Sequence, residues 1–264
     1  MEKKFPKNTF SKRLGSMLSV DSRRMFTTPL FYIILGIAVA MPILILVMTT
    51  VMDGSVSVNP QTGEETVMQA FDSAWQVIGQ ASSSGSMDIM NMCNINLLYF
   101  GVAVLISLFV SADFKSGYSK NLFAVRAKKS DYIISKTLVG FIAAAILLIG
   151  FFAGTVIGGE IAGLPFTMDG FTTANLVMCI ISKILLMAIF VPVYTMINAI
   201  AKQKTWLGMV LSLAVCMLFF NVIPMISPID ATGMNVILCF VGGILFSFGF
   251  GAVSQTILKK TDIL

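Results

Sequence analysis

Six long apolar stretches, near 30–51, 92–112, 132–158, 176–201, 206–226 and 236–258, constrain this chain more than any other feature. Each reaches the length of about 20 residues that a helix needs to cross the hydrocarbon core of a bilayer. No water reaches backbone amides there, so a spanning segment must satisfy its own hydrogen bonds, as a helix does. The pattern predicts an all-α integral membrane protein with six transmembrane helices. Composition agrees, with 56% of residues hydrophobic and 12% charged, against roughly one quarter charged in a soluble domain. The chain divides into a leader, 1–28, and a transmembrane domain, 29–264. The first apolar run begins too far into the chain, and lacks the small-residue cleavage pattern, to read as a removable signal peptide.

Charge sets the expected orientation. Lysines and arginines cluster in the leader (Lys12, Arg13, Arg23, Arg24), the second connection (Lys115, Lys120, Arg126, Lys128, Lys129, Lys136), the fourth (Lys202, Lys204) and the tail (Lys259, Lys260). The other connections carry acidic residues instead, including Asp53, Glu64, Glu65, Asp72, Asp88, Glu160, Asp169 and Asp230. Positive flanks stay in the cytoplasm, so both termini are expected there, and the net charge of +5 is topological rather than a nucleic-acid footprint. Cys93, Cys179, Cys216 and Cys239 show no C-x-x-C spacing. They read as small buried hydrophobes, with Cys93, near the outer face, left open to a disulfide.

Within the leader, Phe10, Leu14, Met17, Leu18, Met25 and Phe26 recur at helical spacing among basic residues, which predicts an amphipathic helix lying in the membrane interface. In the first outer connection Val67, Phe71, Ala74, Trp75 and Ile78 repeat likewise. They predict an amphipathic outer helix, with Phe71 and Trp75 as gate or substrate-contact candidates. Gly150, Gly154 and Gly158, and again Gly243, Ser247 and Gly251, stand four residues apart; small residues at this spacing let helix backbones approach closely in lipid. Ionisable groups inside spans are rare. Lys183 is therefore expected to pair with Glu160 or Asp169 at the outer end, to snorkel outward, or to line a cavity. Asn94, Asn96, Asn198 and Asn221 are interhelical hydrogen-bond or cavity candidates. Pro192 predicts a kink. The apolar connection 221–233, broken by Pro224 and Pro228, is too hydrophobic for a solvated loop and predicts a re-entrant outer turn.

The second connection, 113–131, is the most informative. Asp113 stands where an apolar run stops, Gly117 permits a bend, and Tyr118, Leu122 and Val125 fall at helical spacing, predicting a short amphipathic helix. Ser130-Asp131 makes an N-cap for the following span. Asp113, Gly117, Lys120, Asn121, Leu122, Lys128, Lys129, Tyr132, Ser135 and Lys136 together resemble the first cytoplasmic loop of ABC-2 type permeases, the membrane halves of many bacterial ABC exporters. Asp21, Arg23, Arg24 and Pro29 resemble the elbow before their first span, and 221–233 their re-entrant outer turn.

The resemblance implies a permease of a bacterial cytoplasmic membrane, paired with a second copy or a sister permease, on which cytoplasmic ABC ATPase subunits dock. ATP and magnesium would bind those partners. It implies coupling contacts through Asp113, Phe114, Gly117, Tyr118, Lys120, Asn121, Leu122 and Arg126, and it makes a membrane-active or antimicrobial peptide the first expected cargo, with drugs, lipids and polysaccharides open. The sequence itself carries no G-x-x-x-x-G-K-[ST] phosphate loop and no histidine, so neither ATP hydrolysis by that route nor histidine-based catalysis or metal binding is expected of it. An ATP-independent carrier or channel, which would favour a continuous polar path and an internal repeat, and a structural partner of another complex are the alternatives.

Overall fold

The computed structural model describes residues 9–58, 65–67, 69–79, 94–125, 128–168, 170–220 and 222–260. Helix α1, Phe10–Thr27, places Met17, Asp21 and Met25 on one buried face, as their spacing of four residues requires. Thr28 separates it from α2, Pro29–Val51, whose proline stands in the first turn, where a missing N–H leaves nothing unsatisfied. The remaining helices are α3 (Leu97–Lys115), α4 (Tyr118–Val125), α5 (Lys129–Ala162), α6 (Thr173–Ala201), α7 (Thr205–Phe219), α8 (Ile223–Ile226) and α9 (Gly233–Lys260). Five of them, α2, α3, α5, α6 and α9, are long and apolar enough to cross a membrane. The end of the bundle carrying α1, α4 and the lysine-rich connection is called the basic end below.

Helix α3 is the central span, with 61% of its apolar window buried against 11% for α9. Around it α2 packs on α5, α9 on α6, and α7 on α3 and α6. The glycine stripe of α5 explains the first pairing. A Cβ added at Gly154 would meet the Val39 carbonyl and approach Pro42 Cγ to 2.8 Å, and one at Gly158 would come within 2.8 Å of Ile43 Cα. Backbone therefore lies on backbone, the dense contact that holds helices together in lipid. The second stripe serves only in part: a Cβ on Gly243 would stand 2.9 Å from Ala188 Cβ, whereas one on Gly251 meets nothing within 4 Å.

Three expectations need correction. Among the described residues of the first outer connection, 67–78 is not one amphipathic helix: Val56–Val58 (β1) pairs antiparallel with Glu65–Val67 (β2), and Ala74–Ile78 forms a 3₁₀ helix. Ser73 is extended and its Oγ accepts from Trp75 N, which starts the turn too late for Phe71 to join it. Secondly, the fifth apolar run is divided. Helix α7 ends at Phe219 after 15 residues, about 22 Å at 1.5 Å per residue and short of the roughly 30 Å hydrocarbon core. Pro224 then opens the separate turn α8. Thirdly, Lys128 rather than Ser130 occupies the N-cap of α5, and Asp131 lies in its first turn.

Because backbone faces the added side chain at Gly154, Gly154→Leu is expected to lower stability by about 3 kcal/mol or more, the upper end for overpacking. Gly249→Ala, where a Cβ meets open space, should leave the thermal unfolding midpoint of the detergent-solubilised protein within error of the parent.

Candidate functional site

At the basic end four side chains from three helices form one ion cluster. Lys136 Nζ of α5 lies 2.8 Å from Asp21 Oδ1 of α1 and 2.7 Å from Asp113 Oδ2 of α3, while Arg24 Nη1 of α1 lies 2.6 Å from Asp113 Oδ1. Two cations and two carboxylates cancel. Ser135 Oγ donates to Asp21 Oδ2 at 2.7 Å, and Tyr132 OH donates to Asp113 Oδ2 at 3.1 Å. The Lys136 ammonium also stands 3.7 Å above the Phe109 ring, a further favourable contact for a desolvated cation. Asp21, Asp113 and Lys136 are wholly buried. Beside the cluster, Arg13 Nε pairs with Asp131 Oδ2 at 2.9 Å, a second tie between α1 and α5.

Helix α4 is held against this cluster. Gly117 turns the chain with φ +73°, a left-handed conformation that a Cβ would oppose. The Arg24 guanidinium then covers the Tyr118 ring at 4.4 Å, and Phe123 meets Tyr132 edge to face at 5.3 Å. Burial, with the carboxylates of Asp21 and Asp113, pushes the Tyr118 phenol above its usual range, against the Arg24 cation; it stays neutral at physiological pH. Lys120, Asn121 and Ala124 are exposed, Tyr118, Leu122 and Phe123 half-buried, and Ser119 buried. Asp113 and Phe114, expected as contacts to a partner, are buried instead. Both belong to the support beneath α4, Phe114 packing on Tyr132 at 6.3 Å. Arg126 lies outside the described residues, as does Asn221.

The gate and cavity candidates separate into distinct places. Asn198 forms a buried clamp at the junction of α3, α6 and α7, its Nδ2 donating to Ser107 Oγ at 2.9 Å and to Ser212 Oγ at 3.3 Å. Gly208 makes room for it, since a Cβ there would strike Asn198 Oδ1. Lys183 makes no ion pair with Glu160; Asp169, the other expected partner, lies outside the described residues. The Lys183 Nζ instead donates to the Ser227 carbonyl at 3.0 Å, and Ser182 Oγ meets Ser227 Oγ at 2.5 Å. Two further carbonyls of the same turn are satisfied by side-chain amides: Ile226 O by Asn235 Nδ2 at 3.0 Å and Ala231 O by Asn175 Nδ2 at 3.3 Å. The apolar turn is thus sustained by polar side chains from α6 and α9. Asn94 and Asn96 are buried where α3 begins, the Asn94 Oδ1 accepting from Asn96 N at 2.8 Å. Phe71 is half-buried, while Trp75 donates Nε1 to Phe166 O at 2.9 Å and lines a cavity of about 340 Å³ with Phe166 and Ile229.

Sequence reasoning named Asp113 and Lys136 for the connection and Asp21 for the elbow, but did not join them. The available signal was charge itself: three ionisable residues beside apolar runs need partners.

Lys136→Met is expected to destabilise the fold by roughly 3–5 kcal/mol, because Asp21 and Asp113 would keep one uncompensated buried charge. Adding Asp21→Asn should recover part of that loss in thermal unfolding, as an interaction within one network requires.

A family model described as ABC-2 family transporter protein matches residues 27–221, from the end of α1 through α7. No curated protein and no solved structure matches the chain.

Proposed function

The chain belongs to the ABC-2 family of transporter proteins, and on that premise we propose that it exports an amphipathic or lipophilic cargo, a membrane-active peptide before other classes. The family is one of membrane permeases partnered by ABC ATPase subunits. In the proposed arrangement those subunits bind ATP and magnesium, dock on the exposed side of α4, and move the spans through the cluster beneath it. The observation that carries this reading is a short helix presenting Lys120, Asn121 and Ala124 outward while Arg24 of α1 and Tyr132 of α5 hold its inner side. Asp113 and Phe114 then act as positioning residues. Tyr118 and Leu122, half-buried, form the edge of the docking face.

Several features support the finer parts of the proposal. The one-sided distribution of lysine and arginine favours a bacterial cytoplasmic membrane with both termini in the cytoplasm. An interior with few ionisable groups at mid-depth suits cargo that partitions into lipid before transport. Exposed apolar faces on α2 (Ile33, Ile37, Leu44, Met48) and α7 (Trp206, Val210, Leu218) offer surface for a second copy or a sister permease.

The test is affinity purification of the tagged full chain from its native membranes, with co-purifying ATPase and ATP hydrolysis as readouts. Lys120→Glu with Ala124→Arg is expected to cut recovery of the ATPase by roughly tenfold or more, the effect of losing a central interface contact, with an unchanged thermal midpoint. Tyr118→Asp with Leu122→Asp should abolish it. Full recovery from both variants would refute docking on α4.

A further inference from the structure

Helices α5 and α9 leave a groove between them on the way to the basic end. Near its middle α9 leans on α6, with Ser247 Oγ donating to the Ala188 carbonyl at 3.2 Å. One turn further on the contact opens into a groove of about 450 Å³, walled by Ile134 and Leu138 of α5 and by Phe248 and Gly251 of α9. Ser130 and Gln255 stand at its polar end. Gly251 belongs to the small-residue stripe, yet a Cβ on it would meet nothing within 4 Å. The stripe therefore leaves space here instead of closing a helix pair. Phe248 is 78% exposed and Leu138 42%, so the groove opens sideways, toward the surroundings of the bundle.

Beyond its polar end the chain is basic. The half-buried Lys129 donates Nζ to the Leu258 carbonyl, which fastens the start of α5 to the end of α9, and the exposed Lys128 and Lys259 are the chain neighbours of that pair. An apolar trough about two helical turns long, ending in hydroxyl and amide groups next to a lysine-rich stretch of chain, matches a molecule with a hydrocarbon tail and an anionic head. Lysines close to an anionic lipid surface contribute about 1 kcal/mol each, and the trough supplies the tail with a surface that bulk lipid lacks.

We propose that the α5–α9 groove is a binding site for a single anionic phospholipid, its tail against Gly251 and its phosphate between Lys128 and Lys259. The site is independent of the α4 docking face. It rests on the proposed orientation only for which leaflet supplies the lipid. Seating a lipid there would join α5 to α9 across the groove.

The experiment uses the full chain in nanodiscs with the same lipid mixture in both leaflets, carrying a tail-photoactivatable phosphatidylglycerol or phosphatidylcholine probe, and maps the adducts by mass spectrometry. The phosphatidylglycerol probe is expected to label the Ile134–Leu138 and Phe248–Gln255 segments at least fivefold more than the phosphatidylcholine probe. Gly251→Leu, which fills open space, should reduce that labelling several-fold without moving the thermal midpoint. Lys128→Gln with Lys259→Gln should erase the preference for phosphatidylglycerol, at about fivefold per lysine, while tail labelling by phosphatidylcholine persists. Equal labelling by the two probes, or labelling unchanged in Gly251→Leu, overturns the proposal. So does capture of a second protein chain by a photoreactive residue placed at Phe248 in native membranes. Symmetric leaflets keep the result independent of orientation, and no ATPase is present, so failure of the docking reading would leave it untouched.

Discussion

One ammonium shared by two carboxylates organises the basic end. Lys136 lies within 2.8 Å of both Asp21 and Asp113, residues on an interfacial helix and on the central span. Stripping water from such ions costs several kcal/mol each, and mutual attraction returns much of it only while the partners stay together. The cluster therefore adds little to net stability but makes any separation of α1, α3 and α5 expensive. Arg24 completes the neutral set and extends it, because the guanidinium that pairs with Asp113 also covers Tyr118. Helix α4 is thereby placed by the same charges that fix the spans.

The opposite end is held differently. There Lys183, Asn175 and Asn235 donate to three carbonyls of the apolar turn. Irregular backbone at membrane depth survives only where its polar groups find protein or trapped water, and these side chains are what the turn finds. Lys183 is thus an ionisable residue whose role is hydrogen bonding. It is expensive to bury, and its position is explained by a carbonyl that would otherwise be unsatisfied.

The sequence made some of this legible and concealed the rest for physical reasons. Apolar length announced a helical membrane protein, and the spacing of Gly150, Gly154 and Gly158 announced a close crossing, now seen against α2. Gly117 was readable because only a residue without Cβ turns freely at φ +73°. The cluster was not, since Lys136 and Asp21 are 115 residues apart and charge alone does not name its partner. Lys183 misled for a related reason: every residue carries a carbonyl, so no letter marks Ser227 as an acceptor. The first outer connection went wrong where an apolar repeat suited a helix but Ser73 took an extended conformation. Asp113 and Phe114 were expected at a contact surface and are buried, because a pattern of residue types near a membrane exit does not say which of them the bundle covers.

The two kinds of fastening differ in what it takes to undo them, and that ranks the joints of the molecule. Parting α3 from α5 at the basic end strands buried charge, at a cost of roughly 3–5 kcal/mol per broken pair. Parting α6 and α7 from α3 at mid-depth breaks the bonds that Ser107 makes to Asn198 and Ser212, neutral hydrogen bonds with a net contribution of about 1 kcal/mol each. Apolar surfaces beside the clamp slide without leaving a charge behind. A force applied at α4 therefore moves α1, α3 and α5 as one piece, and the compliant joint lies between that piece and the α6–α7 side. In the proposed export cycle the displacement of a small exposed helix thus reaches the middle of the membrane through the ion cluster, and yields where only hydrogen bonds and packing resist it.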